Sequence, residues 1–121
     1  MSSFLNNRCL FAAVVLATLA GCANDPAPVE QMKLTEKALE QAKAVGAGED
    51  QAELQAAQAK FAQARSDMTS ESFKSARMNA EQAELDARLA EAQVLTAKSE
   101  EQITQLNTRL NRLRKQLGES Q

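Results

Sequence analysis

Between Phe73 and Ala97 an apolar residue, usually alanine, falls at every third or fourth place without a break: Phe73, Ala76, Ala80, Ala83, Ala87, Ala90, Val94 and Ala97. Residues three and four apart share one face of an α-helix, whereas a strand alternates faces at every residue. This run fits a helix of many turns and no strand. Leu85, Leu89 and Ala92 make a second seam beside the first. Two adjacent seams predict two neighbouring helices. Alanine lets helices approach closely but buries little area, at about 25 cal/mol per Å², so the predicted bundle is marginal by itself.

The neighbours are legible upstream. A first helix is predicted from Pro28 to Val45, with Met32, Thr35, Leu39 and Ala42 on one face and Leu34, Ala38 and Val45 widening it. Gly46-Ala47-Gly48 ends it, because glycine adopts the left-handed conformation that a helix end needs. A second helix is predicted from Gln51 to Met68, with Asp50 as N-cap and Glu53 completing a variant capping box. Its seam is Leu54, Ala57, Phe61, Ala64 and Met68. Thr69 or Ser70 is expected to cap a third helix running from Glu71 to Leu117. The fold class is therefore all-α: a short alanine-rich helical bundle or hairpin whose long third helix extends as a coiled-coil tail. Ala, Glu, Gln, Lys, Leu and Arg dominate from residue 30 onward, the composition of long helices.

Near Glu100 the third helix changes character. Ile103, Leu106, Leu110, Leu113 and Leu117 form one heptad seam of large residues. At 1.5 Å per residue this helix spans roughly 70 Å and the first two under roughly 30 Å each. They cannot cover all of it, so the seam over residues 101–121 should overhang the alanine-rich domain of residues 29–100. A bare apolar stripe marks a binding face. These five residues are the expected partner-binding site, either for a homo-oligomer or for a helix of another protein. Arg109, Arg112, Arg114 and Lys115 beside it have two readings. They complement the negative end of the helix as a solvated face, or they make weak contact with anionic lipid or cell-wall polymer.

The start of the chain carries different information. Arg8, an apolar run of about a dozen residues and a small-residue close have the three parts of a secretory signal over residues 1–21. The run is shorter than the roughly 20 residues that cross a bilayer as a helix. It ends in Leu19-Ala20-Gly21-Cys22, which resembles the lipobox of bacterial lipoproteins. That resemblance implies a diacylglycerol on the Cys22 sulfur, cleavage before it and acylation of the new amino group. Several acyl chains hold a protein firmly to a membrane, where one holds it only marginally. In the lipoproteins it resembles, Asp after the cysteine retains the protein in the inner membrane; Ala23 stands there instead, so the resemblance implies the outer membrane, with the protein facing the periplasm. Residues 22–28, containing Pro26 and Pro28, form a lipidated tether.

The residue inventory excludes several functions. With Cys9 in the signal and Cys22 capped by lipid, no disulfide or reactive thiol is expected. There is no His, Trp or Tyr, and the net charge is -2 with both signs interleaved. A nucleic-acid surface would need a basic face with stacking aromatics, so none is expected. Candidate acid–base groups such as Glu81, Glu84 and Asp86 fall at helix-surface spacing, and Glu84 with Arg88 reads as a solvated i,i+4 pair. The expectation is no enzyme, no metal and no cofactor beyond the covalent lipid.

From Gln31 to about Gln102 the chain resembles the family catalogued as domain of unknown function 4398. The resemblance rests on Ala38–Ala47, on Glu53–Ala64, and above all on Ala80-Glu81-Gln82-Ala83-Glu84-Leu85-Asp86-Ala87-Arg88-Leu89-Ala90-Glu91-Ala92. It implies an envelope lipoprotein. Some members continue into an OmpA-like peptidoglycan-binding domain, which this sequence does not show before Gln121, so wall binding by that route is not expected. The expected function is a structural or adaptor role at the outer membrane through helix–helix contacts. The alternative is a chaperone-like or complex-subunit module that captures apolar helices of envelope partners.

Overall fold

The computed structural model of the protein describes residues 25–119. Three helices follow in order: α1, Val29–Ala44; α2, Ala52–Thr69; and α3, Phe73–Glu119. Among the described residues there is no strand. The all-α class and the long third helix are as the periodicity predicts, with boundaries shifted by one or two residues.

The two turns use the same device. At the end of α1, Ala47 N–H donates to Ala42 O (2.9 Å) and Gly46 N–H to Lys43 O (3.0 Å), with Gly46 at φ 102°. This is a Schellman closure, in which a left-handed residue lets two amides turn back onto the last carbonyls. At the end of α2, Ser72 N–H donates to Asp67 O (2.9 Å) and Glu71 N–H to Met68 O (3.2 Å). Here the left-handed residue is Glu71, at φ 57°. A side chain in that region costs about 1–2 kcal/mol, a cost glycine escapes. We expect Glu71→Gly to stabilise the fold by about 0.5–1 kcal/mol, read as a rise of a few degrees in a thermal melt.

The predicted caps are corrected by these turns. The residue at the N-terminus of α2 is Gln51, with no side-chain cap bond, and not Asp50. Thr69 Oγ1 donates back to Arg65 O (3.1 Å) and Ser70 Oγ to Asp67 O (3.2 Å). Both hydroxyls finish α2 and do not start α3. Ser72 precedes α3, and its carbonyl accepts the first helical bond from Ala76 N–H (2.9 Å).

The alanine seam of α3 is the centre of the bundle. Ala76, Ala80, Ala83, Ala87 and Ala90 are fully buried. Against them lie Thr35, Ala38, Leu39 and Ala42 of α1 and Leu54, Ala57, Phe61 and Ala64 of α2. The residues flanking the seam divide the two neighbours between them. On one flank Glu84 accepts from Gln31 (2.7 Å), Glu91 accepts from Gln41 (2.6 Å) and Lys98 Nζ donates to Val45 O (2.6 Å). On the other, Asn79 donates to Asp67 (2.7 Å), Asp86 accepts from Lys60 (2.6 Å) and Gln93 donates to Glu53 (3.0 Å). Partner numbers rise together on the α1 flank and run oppositely on the α2 flank. So α1 is parallel to α3, and α2 is antiparallel to both.

Thr35 belongs to the apolar face but brings a hydroxyl into it. Its Oγ1 lies 2.9 Å from both Gln31 O and Ala80 O. Those two carbonyls share its one proton, which satisfies a fully buried polar atom. On the outside, Arg65 ties α2 to α1 by an ion pair with Glu36 (2.8 Å) and stacks 4.4 Å over the Phe61 ring.

Three seam expectations are corrected. Leu34 is exposed, and so is Ala97, which lies beyond the end of α1. More consequentially, Leu85 is 67% and Leu89 49% exposed. Both shorter helices fit on the single alanine seam, because a methyl group holds them close enough to straddle it. The second seam is left without a neighbour inside the bundle.

Candidate helix–helix interface

Lys98 is the last α3 residue to reach α1, through the carbonyl of Val45. From Leu95 to Gly118 every residue is exposed. The overhang past Lys98 is therefore about 30 Å of single helix. It leaves the bundle at the end opposite to Val29, since α1 and α3 run the same way.

The five predicted partner-binding residues lie together on this overhang. Ile103, Leu106, Leu110, Leu113 and Leu117 are between 49% and 69% exposed. At about 100° per residue they share a stripe turned roughly 140° from the alanine seam. The bundle-facing phase ends near Glu101 and Thr104, where polar residues take the places alanine held.

The exposed stripe does not begin at Ile103. Counted back in sevens, Leu106 and Leu113 are in register with Ser99, Ala92, Leu85 and Met78. Ile103 and Leu110 are likewise in register with Thr96 and Leu89. All of these are exposed. One heptad register thus runs along the solvent side of α3, behind the bundle and out along the overhang. Sequence reasoning treated Leu85 and Leu89 as inward-facing and missed their continuity with the tail. The constant spacing of seven was the available signal, obscured by the small residues Ala92, Thr96 and Ser99 in between.

Two carboxylates on the polar flanks of the bundle have shifted pKa values. Glu84 has a lowered pKa, caused first by the hydrogen bond from Gln31 and then by Arg88. Glu53 is lowered by its bond from Gln93 and by its own backbone N–H. A carboxylate whose folded pKa is lowered adds stability above its unfolded value, about 4.3, and loses that contribution as pH falls through the folded value. Stability should hold level from neutral pH to near 4.3 and decline below it. Glu84→Gln should shrink that decline, as measured by urea midpoints at neutral and acid pH.

Among the described residues no group of three or more His, Cys, Asp or Glu is placed to hold a metal ion. No described helix is long and apolar enough to cross a membrane. Cys22, with Leu19, Ala20 and Gly21, lies outside the described residues.

A three-helix bundle on an alanine seam, with the third helix overhanging, defines the class of protein. The family described as Domain of unknown function (DUF4398) matches residues 30–106. A crystal structure of a DUF4398 family protein from Pseudomonas aeruginosa PAO1 at 2.47 Å resolution is similar, with 66% identity and a TM-score of 0.76. The match covers 79% of this chain and all of that one. The chain belongs to the DUF4398 family. No protein of curated function matches it.

Proposed function

We propose that this protein is an outer-membrane-anchored periplasmic lipoprotein with a structural or adaptor role, acting through helix–helix contacts and not through catalysis. The observation that carries this reading is the overhang. Some 30 Å of helix bears a stripe of large apolar residues that its own bundle does not cover. Exposed apolar stripes of this length are binding faces. The lipobox-like Leu19-Ala20-Gly21-Cys22 supports the anchor. The anchor would join the chain at the Val29 end of the bundle, so membrane and overhang attach to opposite ends of the molecule.

Two measurements on the full-length chain test the reading. Cys22→Ser should abolish incorporation of labelled palmitate and release the protein from the membrane fraction; a labelled, membrane-bound variant would refute the anchor. Leu106→Gln with Leu113→Gln should abolish the protein's association, read by sedimentation in detergent, without loss of helicity. A wild-type chain that is monomeric at micromolar concentration would argue against self-association. If that monomer then bound apolar helices, the capture module would replace the adaptor.

A further inference from the structure

The heptad register on the solvent side of α3 is longer than the overhang. From Leu85 to Leu113 it spans about four heptads, the length at which a repeat of this kind supports a coiled coil. Its middle is weak: Ala92, Thr96 and Ser99 supply little surface. Its outer part is strong, with Ile103, Leu106 and Leu110. This unevenness bears on what can cover it.

We infer that a second copy of this chain packs antiparallel along α3, with the overhang of each copy lying over Leu85 and Leu89 on the back of the other. The inference rests on the helix–helix reading of the function and names its partner. Two observations select the orientation. The first is size. A two-fold axis near Glu101 sets Leu110 opposite the partner's Ala92, Leu106 opposite its Thr96, and Ile103 opposite its Ser99. Each small residue then meets a large one, and the layers fill. A parallel pair in register sets small against small through the same stretch and leaves it hollow.

Charge is the second. The charged residues bordering the stripe are Glu81, Asp86 and Glu100 toward the bundle and Arg109 and Arg114 toward the tip, with Arg88 between. In a parallel pair Arg109 borders the partner's Arg114 and Glu81 borders its Asp86, both repulsive. In the antiparallel pair Asp86 borders the partner's Arg114 on both sides of the axis. Asp86 keeps Lys60 at 2.6 Å and still presents a partly exposed carboxylate. One like-charge contact remains, Glu100 against its own copy at the axis. Opposite charges across a coiled coil set orientation. The arrangement places the two N-terminal leads at opposite ends of the dimer, so both anchors reach one membrane with the rod lying along it.

Cysteine crosslinking in the full chain tests this, with the wild-type chain setting the background. Ala92→Cys and Leu110→Cys are made singly and together and oxidised in membranes. The proposal expects a covalent dimer from the double variant and none above background from either single variant. A dimer from Leu110→Cys alone would establish a parallel pair and overturn the inference while keeping the adaptor reading. Leu85→Gln with Leu89→Gln separates the long interface from one confined to the tail. It should weaken the dimer about tenfold or more in sedimentation. A dimer indifferent to that change overturns the inference, and so does a wild-type monomer, which overturns the self-association reading as well. Unchanged helicity shows that each variant still folds, as expected for exposed positions.

Discussion

Leu54→Ala will cost the fold about 2–5 kcal/mol, the range for emptying a fully buried leucine site. Among the described residues Leu54 is the largest apolar side chain that is completely buried, and its neighbours cannot move in to fill the space. The buried cluster it belongs to is mostly alanine, with Ala42, Ala47, Ala57, Ala87 and Ala90, which have only methyl groups to offer. Its larger apolar members, Leu39 and Phe61, are held by their own helices. Single domains are stable by about 5–15 kcal/mol, and a core built largely of alanine belongs at the low end. The variant should therefore be partly unfolded at physiological temperature. Chemical denaturation followed by circular dichroism will show the midpoint collapse. A shift below about 1 kcal/mol would mean that the three helices are held mainly by the flanking polar bonds.

Ala83→Leu should produce the second large effect by the opposite route. Ala83 is fully buried where α1 and α2 both lean on α3. Three extra carbons there have no void to enter and must push one of the shorter helices outward. Overpacking of this kind costs about 1–3 kcal/mol, and here it also separates the flanking pairs Gln31–Glu84 and Lys60–Asp86. Ala97→Leu is the matching control. It continues the same seam, carries the same change and is exposed. Leucine is nearly as good a helix former as alanine, so this variant should be close to neutral. Comparing thermal melts of the two locates the end of the bundle along α3.

Much of this architecture was legible in the sequence because helix periodicity and length are local properties. The seam from Phe73 to Val94, the apolar faces of α1 and α2, and the overhang beyond Lys98 all follow from spacing and from 1.5 Å per residue. The expected overhang could be read because two short helices cannot cover a long one. The fate of Leu85 and Leu89 was less accessible. Apolarity says that a side chain gains by burial, but the number of neighbours on each face is set by tertiary packing. Alanine allowed both helices onto one face, and the polar flanks divided them, with Glu84 and Glu91 to α1 and Asp86 and Gln93 to α2. The caps were hidden for a related reason. Asp50, Thr69 and Ser70 are all good capping residues by type. What closes the turns is backbone geometry at Gly46 and Glu71, and a glutamate gives no warning of a left-handed conformation.

The parallel course of α1 and α3 has a mechanical consequence. A pull between the N-terminal lead and the tip of the overhang draws α1 and α3 in opposite directions along their shared axis. The load is spread at once over Thr35, Leu39, the alanine methyls and the Gln31, Gln41 and Lys98 bonds, so yielding requires them to slide together. Had the overhang grown from the antiparallel α2, the same pull would have opened the contacts one after another from one end. The protein is wired to resist stretching in shear, the stronger of the two loading modes, along the line that connects its two ends.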